Sequence, residues 1–99
     1  MARLDVHLNP GGPGYLLDCQ SDMLSHLSTR LVVPLLPPNL APDLGQRLTP
    51  KVRVEGQEMI MMTNFTASVP RSTLGRIVGS LAQEHSVVMD AFDMLLTGY

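Results

Sequence analysis

Three histidines, one cysteine and a few acidic and hydroxyl residues are the groups in this 99-residue chain whose types could do chemistry. His7, His26 and His85 stand in three separate segments, so none has the short spacing of a local metal motif, and solvated surface imidazoles are the expected reading. Neither a metal nor a cofactor is expected. Asp22, Ser25 and His26 are triad residue types, but a triad is defined by geometry, and the G-x-S-x-G elbow that would present a nucleophile is absent. NPGGPG at 9–14 has the glycines of a phosphate cradle, yet no Lys-Ser or Lys-Thr follows and the next element reads as a strand. It is expected to be a turn. No residue is singled out as catalytic on this evidence.

Two apolar features remain. Met59, Met61 and Met62 share one segment, and strict alternation would send Met62 to the face opposite the other two, giving a strand apolar on both sides as a subunit interface requires. The chain also ends on DAFDMLLTGY, whereas the ends of soluble domains usually fray into water. A terminus carrying Leu95, Leu96 and Tyr99 is either buried or a binding surface.

The composition limits what such features can serve. A length of 99 residues suits one domain spanning 1–99, and 44% hydrophobic with 16% charged residues is the balance of a folded chain rather than a disordered one. With two Phe, two Tyr and no Trp, the core must be Leu, Val and Met. A net charge of -2 with scattered Lys and Arg offers no basic stripe, so direct nucleic-acid binding is not expected. MARLDVHL lacks the apolar core of a signal peptide, no stretch approaches the roughly 20 apolar residues that cross a bilayer, and the lone Cys19 suits a reducing cytoplasm.

The elements that must position these residues follow from periodicity. Ala2, Leu4, Val6 and Leu8 alternate with polar residues as a strand over 2–8, and 15–20 returns as its hairpin partner, with Gly11, Gly12 and Gly14 supplying positive φ in the turn. A strand spans 29–36, with Pro34 marking an edge, end or bulge. The four prolines of 37–50 make a long surface loop with one short helical turn, and loops of that length are often functional. Strands at 51–55 and 58–63 turn at Gly56, and 64–70 continues extended. From 81 to 97 the period changes: Leu81, Val88, Phe92 and Leu95, flanked by Val87, Ala91 and Met94, form a wide helical face. Ser80 with Gln83 forms a capping box, and Gly98 sits where a helix end favours a left-handed residue. The expected fold is mainly β: a mostly antiparallel sheet or partial barrel covered by one C-terminal α-helix.

LLDCQSDML (16–24), TRLVVPL (29–35), MMTNFTASVP (61–70) and the apolar helix ending in Gly98 resemble, in order and spacing, the CcdB family of bacterial toxins. The resemblance covers nearly the whole chain and implies an SH3-type β-barrel of the kind shared with MazF, assembled as a homodimer. It implies a non-enzymatic toxin of a toxin-antitoxin system that binds the GyrA subunit of DNA gyrase and traps the cleaved gyrase-DNA complex. The second implied partner is a CcdA-like antitoxin whose disordered segment folds on binding. Carried over by position, the gyrase-binding surface falls on Ser21, Met23, Leu24, Asp93, Leu96, Thr97, Gly98 and Tyr99. Well-known members end in Trp-Gly-Ile where this chain has Thr97, Gly98 and Tyr99, and Asp93 stands for an Asn. For the antitoxin, Leu44 and Arg47 in the 37–50 loop are the first candidates. Two other readings suit the same barrel. One is a ribonuclease toxin like MazF and Kid, with Arg3, His7 and Arg30 as acid, base and charge stabiliser, against which the acidic balance argues. The other is an inactive relative that keeps antitoxin binding.

Overall fold

The computed structural model describes residues 2–98 and contains seven strands and one long helix. They run β1 (Asp5–Leu8), β2 (Tyr15–Asp18), β3 (Thr29–Leu36), β4 (Lys51–Val54), β5 (Gln57–Met61), β6 (Ala67–Pro70), β7 (Ile77–Ser80) and α1 (His85–Thr97). Every pairing is antiparallel, in the order β4-β5-β3-β2-β1-β7 with β6 also on β3. The sheet curls into a half-barrel and α1 closes it.

Strand β3 causes much of the curl. Its first half, Thr29 to Val32, pairs with β6, and its end, Leu35 and Leu36, pairs with β5. Pro34 falls at the changeover, where a missing backbone donor is tolerated, and its carbonyl still accepts from Met62 N at 2.9 Å. The core collects Val6, Leu17, Val33, Leu35, Val52, Val54, Met59 and Met61 from the strands, with Leu4 just before β1, against Leu81, Val88 and Ala91. Each fully buried Leu or Met among them contributes about 1.5–3 kcal/mol of apolar transfer.

Several expectations change in the structure. The first strand starts at Asp5, because residues 2–4 form a turn in which Asp5 N donates to Ala2 O at 3.1 Å and Leu4 takes a positive φ of 68°. That backbone is costly for a branched side chain, yet it drops Leu4 into the core and leaves Arg3 pointing away. In the 9–14 turn only Gly14 has a positive φ; Gly11 and Gly12 do not. A Cβ on Gly14 would stand 2.0 Å from the carbonyl oxygen of Leu35, so close approach to β3 as well as φ requires glycine there.

Met59, Met61 and Met62 are all buried, which removes the argument for a two-sided apolar strand as a subunit interface. The strand ends at Met61, and Met62 turns inward at the head of a 3-10 turn over Thr63–Phe65. Strand β7 was not expected from the sequence: only two of its four residues, Ile77 and Val78, are apolar and large. The helix starts four residues later than its periodicity suggests, since Ala82–Glu84 form a 3-10 turn. Ser80 Oγ accepts from Ala82 N at 3.1 Å rather than closing a capping box with Gln83. The C-terminal end is as expected: Gly98 has φ 79° and donates its N–H to the carbonyls of Asp93 and Met94.

Candidate interaction site

Two opposite charges inside apolar strands build the base of the site. Asp18 and Arg30 are both fully buried, and Asp18 Oδ2 accepts from Arg30 Nη2 at 2.7 Å and Nε at 3.0 Å. Asp18 Oδ1 accepts from Gln20 N at 3.1 Å. The Gln20 side chain then ties the following excursion to β3: Nε2 donates to Leu24 O and Thr29 O, both at 3.1 Å, and Oε1 accepts from Leu31 N at 3.1 Å. Arg71 holds the far end, with Nη2 donating to Ser25 O and, at 2.8 Å, to Leu27 O.

On this base stands a single 3-10 turn, Asp22–Leu24, capped by Ser21, whose Oγ accepts from Met23 N at 3.2 Å. Met23 is 86% exposed and Leu24 44%. An unbranched thioether and a leucine are thus held outward on a braced turn, forming an exposed apolar knob rather than core.

The second half of the site is the end of α1. Val88 and Ala91 are fully buried, but Leu95, one turn further along the same face, is 39% exposed, so the helix overhangs the barrel. Of the wide apolar face expected over 81–95, Leu81, Val88 and Ala91 are core and Phe92 packs against it, whereas Val87, Met94 and Leu95 are exposed. Leu96 is 75% exposed beside exposed Asp93. Thr97 Oγ1 donates to Asp93 O at 2.7 Å, which with the Gly98 cap keeps the last turn helical. Tyr99, the remaining candidate, lies outside the described residues.

Arg3 links the turn to the first two turns of α1. Its backbone N donates to Asp22 Oδ1 at 2.8 Å, while its Nη2 lies 3.1 Å from both His85 Nε2 and Met89 Sδ. Leu96 belongs to the same helical stripe as His85 and Met89, about 10 Å beyond Met89 at 1.5 Å per residue. Residue spacing offers no sign of Arg3 in this role. Phe65, also unforeseen, is exposed on the 3-10 turn that lies against α1.

The 37–50 loop lies on another side. Its short turn is Pro38–Leu40, and Arg47 makes an exposed ion pair at 3.0 Å with Asp90 of α1. Leu44 is exposed. The loop and strands β4 and β5 enclose a cleft of about 260 Å³ lined in part by Pro38, Ala41, Gln46, Thr49 and Ile60.

The ribonuclease constellation is not assembled. Arg30 is buried against Asp18, and Arg3 is engaged with α1. His7 is buried instead of solvated, and its Nδ1 lies 2.9 Å from Gly75 O; a carbonyl only accepts, so Nδ1 carries the proton and Nε2 is left without a partner. His26 and His85 are exposed. Among the described residues no three His, Cys, Asp or Glu side chains gather as metal ligands, and no helix is long and apolar enough to cross a membrane.

Cys19 is half-buried beside Asp18, and its thiol pKa is pushed up to about 12, by burial first and by the neighbouring carboxylate second, with Arg3 opposing. It stays protonated at neutral pH, so alkylation of the native protein at pH 8 should run on the order of 10³-fold slower than that of an ordinary thiol. Labelling with and without urea checks this; equal rates would refute it. Because the folded pKa is the higher one, folding stability should fall as pH rises above about 8.5, where the unfolded thiol ionises.

A protein-family model described as "CcdB protein" matches residues 3–98, which takes in both the Asp22–Leu24 turn and the overhanging end of α1.

Proposed function

Since the chain belongs to the CcdB family, whose general role is that of toxins poisoning DNA gyrase, we propose that it binds the GyrA subunit through Ser21, Met23, Leu24, Asp93, Leu96, Thr97, Gly98 and Tyr99. The observation that carries this reading is the pair of exposed apolar projections, Met23 and Leu24 on one and Leu96 on the other, both braced and neither continuous with the core. Braced apolar anchors already project as binding requires, so little side-chain and loop entropy is lost on association.

The overhang of α1 supports a homodimer. Leu95 faces the side that is core one turn earlier yet stays 39% exposed, so a second copy beside it would complete its burial and bring two tips together. The mechanism is differential affinity: a double tip that fits only the open conformation of gyrase shifts the enzyme toward that state, preventing religation and strand passage. The protein acts as a ligand and performs no bond chemistry. A CcdA-like antitoxin would fold onto the rim formed by Leu44 and Arg47 and withdraw the toxin. A bacterial cytoplasmic location follows from that target.

The decisive experiment captures GyrA and scores plasmid cleavage in the same sample. Binding with gyrase-dependent DNA breaks is the expected result. Binding without breaks would leave an inactive, antitoxin-binding relative, and RNA cleavage in the absence of gyrase would replace the proposal with the ribonuclease reading.

A further inference from the structure

We propose that Arg3 is a positioning residue that ties the Asp22–Leu24 turn to the first two turns of α1 and so, through the helix itself, fixes the turn relative to the helix end, making the two halves of the gyrase-binding surface one rigid unit; this deepens the gyrase reading and rests on it. The two halves share no strand pairing and come from opposite ends of the chain. Arg3 touches the turn and the start of α1. Its backbone N–H goes to the Asp22 carboxylate, and a single guanidinium nitrogen reaches His85 and Met89. The Ala2–Asp5 turn makes this possible. Ala2 N donates to Asp5 Oδ2 at 2.7 Å, Leu4 N donates to Asp18 O at 2.6 Å, and the buried Leu4 side chain anchors the turn, so Arg3 leaves a fixed backbone.

Physically, the Asp22 contact is a charge-assisted hydrogen bond from a backbone amide at the head of the turn, while the guanidinium contacts pin one flank of α1 at its first two turns. Leu96 extends that flank. Rotation or sliding of α1 as a body against Met23 and Leu24 would break one contact or the other. Two tips held at a fixed separation lose less freedom on binding than two that move independently, and that difference appears as affinity.

The test is a mutant cycle on the full chain. Arg3→Ala, which leaves the backbone bond to Asp22, and Asp22→Ala, which leaves the guanidinium bonds, should each weaken binding to purified GyrA about 5- to 10-fold with little change in thermal midpoint. The double variant should be no weaker than either single one, because each change already breaks the same bridge. Arg3→Lys, which keeps the charge and a donor on a shorter side chain, should restore part of the affinity lost in Arg3→Ala. Multiplying losses in the double variant would show independent contacts and overturn the proposal. A separate measurement reads the bridge without gyrase: in Arg3→Ala, NMR signals of the Met89 methyl, the His85 ring nitrogens and the Leu24 methyls should all shift. Unmoved Leu24 signals would overturn the bridge even where wild type binds GyrA. Shifted signals with no wild-type binding would leave the bridge standing and reject the gyrase reading instead.

Discussion

Arg30→Ala should destabilise the fold by about 3–5 kcal/mol, because it leaves the Asp18 carboxylate buried with its guanidinium removed. On a marginal stability of about 5–15 kcal/mol that is a large share, and the thermal midpoint should fall by well over 10 °C. Asp18→Asn should also be severe, since it keeps the shape but strands the Arg30 charge. The informative comparison is Asp18→Leu combined with Arg30→Met, which removes both charges and should recover most of the loss. Buried ion pairs often replace well with apolar residues, and Arg30 Nη1 has no partner even in the native protein. Urea denaturation of the four proteins measures this. A loss under about 1 kcal/mol in Arg30→Ala would show that the pair does not hold the sheet.

The pair also explains what D-x-Q-S-D and R-L-V-V-P-L are for. Asp18 and Gln20 face inward and brace, Ser21 caps, and Asp22 accepts from Arg3, so the two apolar residues that follow are held outward. A charge inside each of two otherwise apolar strands, YLLD and TRLVVPLL, was the available signal for the partnership. Spacing alone could not pair them, since the hairpin register sets Asp18 opposite Val32 and reaches Arg30 only diagonally. The same limit explains other misses. Alternation marked Leu4 as inward but could not reveal the positive φ that turns Arg3 outward toward α1. Helical period marked Leu95 as core-facing but could not tell where the barrel beneath it ends. His7 read as solvated because burial on the far face of β1 depends on Gly75, 68 residues away. Elements with clean periods, β2 to β5 and the body and cap of α1, were legible; β7, short and half apolar, was not.

Leu96→Glu tests the overhanging tip with least damage elsewhere. The residue is 75% exposed and is not among the core side chains, so stability should move by less than about 0.5 kcal/mol. If Leu96 is an anchor in a gyrase pocket, the substitution replaces an apolar contact with a charge needing desolvation, and the loss should be at least about 2 kcal/mol, or roughly 30-fold in affinity. Growth inhibition should disappear. Deleting residues 97–99 should have the same effect while circular dichroism and dimerisation persist, although it also removes the Gly98 cap and frays the last turn. The point substitution is therefore the stricter test, because it leaves that cap and the Thr97 bond to Asp93 in place. Full toxicity from folded Leu96→Glu would move the gyrase contact away from the helix end. Lost GyrA binding with retained antitoxin binding would instead separate the two partners' surfaces, as the positions of Leu96 and Arg47 on different sides of α1 require.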